Sequence, residues 1–375
     1  MMHRPIRASI LTHNLSHNLS VVKKMTNERP TWAIVKANAY GHGLEAGLKA
    51  FTQSEGIALL DIGHAALARK LGWRGKILLL EGIFSEADLN EVNALSCDMV
   101  VHHEQQLSWF LSWLSQQTPT IKADFLKQCA IWLKLNSGMN RLGFKSAQYG
   151  LSYEIFKNLG CTVNHLTHFA NADDSSKSPT VDSQWEIFMK ATQYADGLKS
   201  AANSAAVINH PQTHADITRP GIMLYGASPS GLYQDIAHLG LKAGMNLRSE
   251  IIAIQEIQAG DRVGYGSQFE ATQNSRIAVI ACGYADGYPR HAPNGTPVWV
   301  GKPGNIAHGQ IASIVGRVSM DMITVDISAI PYAQIGSPVE LWGELLPIDE
   351  VATHANTVGY ELVCGLASRV AVEIL

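Results

Sequence analysis

The sequence predicts an α/β chain in which a (β/α)8 barrel is followed by a mostly-β C-terminal domain. Three observations carry that expectation. Short apolar runs alternate with segments of helical spacing through the first 225 or so residues, which implies a parallel sheet. Eight strand candidates fall in that stretch, the count and size of a closed barrel. After about residue 240 helical windows shorten, and apolar or alternating runs separated by turns take over. A doubly wound open sheet is the competing layout, and strand–helix alternation separates the two poorly. The expected domains are 11–240 and 241–375.

The strand candidates lie near 31–36, 56–60, 76–81, 98–101, 130–136, 164–170, 198–201 and 221–225. Between them, Ser85 to Leu95 places Ala87, Leu89, Val92 and Leu95 at helical spacing, and His103 to Leu114 does so with Leu107, Phe110, Leu111 and Leu114. In the second part the runs are Leu247 to Ile257, Ile277 to Cys282, Val298 to Val300, Ile311 to Val315, Ile323 to Ile327 and Val339 to Trp342. Turns such as Gly301-Lys-Pro-Gly304 separate several of them.

A chain of 375 residues can bury two cores. Its 29 basic and 32 acidic residues nearly balance, which argues against nucleic acid or an anionic membrane as partner. No long apolar stretch follows Met1 to Arg7, so neither a signal peptide nor a membrane span is expected. Cys97, Cys129, Cys161, Cys282 and Cys364 are odd in number and contain no CxxC pair. They read as thiols of a soluble cytoplasmic protein.

The chemistry centres on Lys36, which closes the apolar run Trp32-Ala-Ile-Val35 and precedes Gly41 and Gly43. An ammonium there is costly to desolvate unless paired. A lysine so placed can instead stay partly neutral and form a Schiff base with an aldehyde. Taken alone, Lys36 reads more readily as paired or reaching water.

Polar groups recur where the other strands end, the functional rim of such a barrel. Tyr40 follows the first strand. Lys134 and Asn136, expected on one face, and Arg141 mark the fifth; His168 and Asn171 end the sixth. Asn203 and Ser204 follow the seventh, and Arg219, Gly221 and Ile222 lie before or at the start of the eighth. Asn203-Ser204 before a helical window could face an anion with its backbone N–H groups, although an N-cap is the commoner role. In the second part Tyr265 stands between Gly264 and Gly266, ordinarily a turn aromatic. It becomes catalytic only if it faces Lys36.

Together these motifs resemble alanine racemase, a family dependent on pyridoxal 5′-phosphate (PLP). The likeness runs from about residue 30 to 370. It is densest in Val-Lys-Ala-Asn-Ala-Tyr-Gly-His-Gly, Arg-Pro-Gly-Ile-Met-Leu-Tyr-Gly, Val-Gly-Tyr-Gly and Gly-Tyr-Ala-Asp-Gly-Tyr-Pro-Arg. The resemblance implies a TIM-type barrel joined to a β domain that also takes up residues 1–10. It implies that Lys36 holds PLP as a Schiff base, and that Tyr40, Asn203, Ser204, Gly221, Ile222 and Tyr360 bind the phosphate. Arg141 would contact the phenolic oxygen and substrate, with Lys134 as a possible carbamate beside it. His168 would lie against the ring and Arg219 would donate to the pyridine nitrogen. Tyr265 and Met320 would come from the partner in a homodimer, and Tyr284 and Arg290 would line the entrance. The implied activity interconverts L-alanine and D-alanine through an external aldimine, with Lys36 and Tyr265 as two bases on opposite faces. A phenol is a base only as phenolate, which calls for electropositive surroundings. Three positions depart from the pattern: Ser200 where some members have histidine, Asn136 where others have aspartate, and Ser319 where others have cysteine.

Two rival functions share these features. A non-enzymatic PLP carrier would not need a second domain bearing Tyr265. A PLP-dependent amino-acid decarboxylase needs no second base, and usually sets an acidic residue, not an arginine, against the pyridine nitrogen. Gly41, Gly43 and Gly47 make a GxGxxxG, not a dinucleotide loop. His13 with His17, and His102 with His103, lack a third partner in register, so no metal is expected.

Overall fold

The computed structural model describes residues 4–375. The expectation for residues 1–10 reaches Met1, Met2 and His3, which lie outside the described residues. The chain divides into two compact units. One comprises Leu19–Ala39 and Gly47–Gly221; the other comprises residues up to Asn18, Tyr40–Ala46 and Ile222–Leu375.

The N-terminal strand β1 (Arg7–Ile10) belongs to the second unit, while the first unit is built on seven parallel strands. These are β2 (Trp32–Ile34), β3 (Gly56–Leu59), β4 (Lys76–Leu79), β5 (Asp98–Val101), β6 (Ile131–Lys134), β7 (Val163–Leu166) and β8 (Lys199–Ser200), neighbours in that order. Most are buried along their whole length, as strands covered on both faces must be. An eighth stave closes the ring. Ile217 N–H donates to Lys199 O (3.2 Å) and Arg219 N–H to Ala202 O (2.9 Å) on one side. On the other, Trp32 N–H donates to Thr218 O (2.9 Å) and Ile34 N–H to Pro220 O (3.2 Å). The barrel is therefore closed, and the open-sheet alternative falls. The eighth stave is not at 221–225 as expected, because Ile222–Tyr225 is a 3₁₀ turn. An apolar run of four fits a strand or a buried helical turn equally well.

Large side chains fill the barrel. Trp32 and Trp132 meet edge to face with ring centroids 5.3 Å apart. At the N-terminal end Asp98 accepts from Ala130 N–H (3.0 Å), Trp132 Nε1 (3.3 Å) and Lys76 Nζ (3.0 Å), tying β4, β5 and β6 together.

The second unit holds β9 (Met245–Ile257), a short hairpin of β10 (Arg262–Val263) and β11 (Phe269–Glu270), then β12 (Ser275–Ile280), β13 (Pro297–Lys302), β14 (Asn305–Ile314), β15 (Ile323–Asp326), β16 (Pro338–Trp342) and β17 (Ala371–Ile374). Its main sheet runs β12-β15-β14-β13-β16-β9-β1-β17, and a further β12–β9 pairing closes six of these strands on themselves. The thirteen-residue β9 makes this possible. Ile251–Ile257 pairs with β12, and Met245–Arg248 pairs antiparallel with β1. Among the described residues no helix is long and apolar enough to cross a membrane.

Trp132 is 1% exposed, so Trp132→Ala leaves a cavity within the barrel. Chemical denaturation is expected to show a loss of about 3–5 kcal/mol; a loss below about 1 kcal/mol contradicts this packing account.

Candidate active site

The site begins where β2 ends. Lys36 is half-buried one residue past the fully buried Val35, and the backbone then turns left-handed. Ala37, Asn38, Ala39 and Tyr40 have φ of 50, 54, 53 and 50°, and Gly41 has 76°. Each non-glycine residue held there costs about 1–2 kcal/mol. Gly41 is obligatory for a second reason: a Cβ would sit 1.9 Å from Val363 O.

Four cations gather at the C-terminal ends of the barrel strands. Lys134 is the last residue of β6 and only 8% exposed. Burial lowers its amine to about 8, with further depression from Arg219, Arg141 and Lys36. Glu81 opposes them with a smaller effect than either arginine. His168 sits well below the ordinary histidine range through burial and the same four cations, so it is neutral. Arg141, exposed, is carried by the loop after β6. Asn136 shapes that loop. Its Oδ1 accepts from Gly138 N–H (3.1 Å) and Asn140 N–H (3.0 Å), so it caps a turn and does not share a strand face with Lys134.

Arg219 lies on the eighth stave and is 5% exposed. Burial alone pushes its guanidinium down to about 9, still protonated at neutral pH. Its Nη1 donates to Ser200 Oγ, and its Nη2 to Thr167 O (2.8 Å) and more distantly to Ala201 O (3.4 Å). Ser200 donates onward to Ile217 O (2.6 Å), so the hydroxyl supports the arginine from the barrel interior. A further buried chain stands behind. Thr167 Oγ1 donates to Leu135 O (3.0 Å) and lies 2.7 Å from Ser137 Oγ, which accepts from Gln184 Nε2 (3.2 Å). Thr167, Ser137 and Gln184 were not among the sequence candidates, and no spacing marks them; a hydroxyl directly before His168 was the available hint.

Asn203 is the N-cap of helix Ser204–Asn209, its side chain accepting from Ala206 N–H (3.0 Å). Ser204 Oγ instead accepts from Gly221 N–H (2.8 Å), joining the ends of the last two staves. Asn171 Nδ2 donates to Pro179 O (3.0 Å), a loop contact.

Within the second unit the Tyr40 ring stacks on Tyr225 (4.8 Å) and lies 6.1 Å from Tyr360. Burial raises the Tyr40 hydroxyl well above its usual range, so it stays a neutral donor. Ile222 is fully buried. Tyr265 stands on the loop between β10 and β11 and is 72% exposed, flanked by Gly264 and Gly266 with φ of 71 and 73°. Met320 and Tyr284 are also exposed, and the Arg290 guanidinium lies 5.8 Å from the Tyr284 ring centre. Among the described residues no group of three or more His, Cys, Asp or Glu could hold a metal ion.

Two family models match, described as "Alanine racemase, N-terminal domain" over residues 10–229 and "Alanine racemase, C-terminal domain" over 244–374. The chain is 49% identical over 373 residues to an alanine racemase of Janthinobacterium sp. (strain Marseille), covering 98% of each. Its structure is similar to that of a biosynthetic alanine racemase from Pseudomonas aeruginosa, with TM-score 0.90, 39% identity and 99% of each chain covered. It is also similar to an alanine racemase from Bartonella henselae with covalently bound pyridoxal phosphate, at TM-score 0.83, 27% identity and 99% of each chain.

The depressed Lys134 amine makes stability depend on pH. Between about pH 8 and 10.5 the unfolded lysine binds more protons than the folded one, so stability rises with pH in that window. In bicarbonate-free buffer, Lys134→Met is expected to abolish a rise of up to about 3 kcal/mol across it; an unaltered slope contradicts the buried-amine account.

Proposed function

From the premise that the chain belongs to the alanine racemase family, being a PLP-dependent isomerase that interconverts L- and D-alanine, we propose how its residues divide the work. The observation that carries the assignment is the surplus of positive charge at the catalytic end of the barrel. Lys36, Lys134, Arg141 and Arg219 lie within electrostatic reach of one another, opposed on Lys134 by Glu81 alone. Such a cluster fits a cofactor that brings a phosphate and a phenolate, together with a substrate carboxylate.

In this reading Lys36 holds PLP covalently. Tyr40, Asn203, Ser204, Gly221, Ile222 and Tyr360 bind its phosphate. The fit is closest at Tyr40, kept protonated by burial. Asn203 takes part through its backbone, since its side chain is committed to the helix cap. His168 lies against the ring as a neutral group, and Arg141 faces the phenolic oxygen and the substrate carboxylate. Arg219 donates to the pyridine nitrogen but does not protonate it, because guanidinium does not give up its proton. The bound cofactor supplies electron withdrawal from the Cα–H bond.

Inversion needs a proton taken from one face and another returned to the opposite face. The Lys36 amine would serve one face. Tyr265 of the partner subunit serves the other, with Met320 of the partner subunit limiting substrate size, and Tyr284 and Arg290 at the entrance. This assigns the chain to a homodimer. The exposure of Tyr265, Tyr284 and Met320 supports that reading, since three large side chains are left for another surface to cover. Cytoplasmic localisation is part of the same proposal, supported by five free thiols.

Lys134 is assigned as a carbamate. At an amine pKa of about 8, roughly a tenth is neutral at pH 7, against about one part in three thousand at 10.5, and only the neutral form attacks CO2. One proton leaves, one C–N bond forms, and the product anion offsets the neighbouring arginines. With 13C-bicarbonate, a carbamate resonance is expected in the protein and not in Lys134→Ala; no difference between them rules the assignment out.

The site reading as a whole is tested by absorbance of the purified protein and chiral analysis after L-alanine is added. A near-visible band abolished by borohydride, absent in Lys36→Ala, is expected. Tyr265→Phe should keep the band but lose at least about 100-fold in racemisation. A Tyr265→Phe variant with wild-type turnover overturns the two-base assignment.

A further inference from the structure

We propose that Asp286 is a positioning residue for the substrate end of the site, fixing the spacing of Tyr284 and Met320 through Arg4, Arg369 and Asp321 and so contributing to the preference for a small amino acid. The inference rests on the assignment of Tyr284 and Met320 above. Asp286 follows Tyr284 by two residues and is 1% exposed, a depth at which a carboxylate persists only when cations meet it. Both oxygens are engaged. Oδ1 accepts from Arg369 Nε (2.7 Å); Oδ2 accepts from Arg4 Nη2 (3.0 Å) and from Gly283 N–H (2.9 Å).

The two arginines carry the constraint to the residue after Met320. Arg369 Nη2 donates to Asp321 Oδ1 (2.7 Å), and Arg4 Nη2 donates to Asp321 O (3.0 Å). Backbone bonds complete the tie, with Tyr284 N–H donating to Ser319 O and Ala285 N–H to Met320 O, both at 3.0 Å. The segments touch so closely that a Cβ at Gly283 would lie 2.3 Å from Met320 O. Asp286 therefore binds a turn bearing Tyr284 to a turn bearing Met320, using segments from both ends of the chain. Neither aspartate touches the reacting atoms in this reading; the action is through Tyr284 and Met320.

The network could also serve merely as a structural staple, and the experiment separates the two. Holoenzymes of Asp321→Asn and Arg369→Lys are compared with wild type and Met320→Ala for kcat and KM with L-alanine and L-serine, alongside thermal midpoints. Asp286→Asn is the more drastic variant, and the two milder changes keep the test decisive if it fails to fold. Expected for both is a KM for alanine raised ~3- to 10-fold with kcat within about twofold, and a serine-to-alanine ratio of kcat/KM raised by a similar factor. Adding Asp321→Asn to Met320→Ala should then change the ratio little further. A lowered thermal midpoint with unchanged KM and serine ratio overturns the inference and leaves the assignment of Met320 standing. An unchanged serine ratio in Met320→Ala itself overturns that assignment, and the inference with it.

Discussion

Everything at the catalytic end of the barrel depends on the crowding of like charge. Lys36, Lys134, Arg141 and Arg219 converge with little negative charge among them, and burial adds its penalty to their mutual repulsion. The chain bears this at Arg219 because that buried guanidinium is hydrogen-bonded to dipoles. Arg219 rests on Ser200 and on the carbonyls of Thr167 and Ala201. Backbone carbonyls and hydroxyls lower the energy of a guanidinium without cancelling its charge. The field stays available to an anion that arrives later, as a carboxylate partner would not allow.

Barrel closure and this field are one construction. The stave that completes the ring, bonded to Ala202 on one side and to Trp32 and Ile34 on the other, is also the segment that carries Arg219. Its neighbour β8 supplies Ser200, and the next turn of chain supplies Ser204 to meet Gly221. Loss of the eighth stave would open the barrel and remove the arginine together. The opposite end is laced by Asp98 to Lys76, Ala130 and Trp132.

Much of this was legible in the sequence because it repeats. The parallel strands and the later β runs stand out by period, and Lys36 and Arg219 sit in dense motifs. The eighth stave did not stand out. It contains Thr218, Arg219 and Pro220, while the apolar Ile222-Met-Leu-Tyr225 beside it has strand composition and folds as a 3₁₀ turn. Asn136 looked like a continuation of β6 because alternation does not reveal where a strand stops and an asparagine begins to cap a turn. The hydroxyl chain through Thr167 and Ser137, and the bond from Arg369 to Asp286 across 83 positions, left no local trace at all. Contacts made by tertiary closure have no period to read.

The left-handed turn after Lys36 bears on what a sequence signature records. Four successive non-glycine residues at positive φ disfavour β-branched side chains there whatever their chemistry. Gly41 is dictated by Val363 O and not by any reactant. Much of the information in Ala-Asn-Ala-Tyr-Gly-His-Gly is thus a record of backbone shape, written next to one lysine. A segment of another protein could share those letters for the sake of the bend alone, and a chain with the same chemistry on a relaxed backbone could lack them.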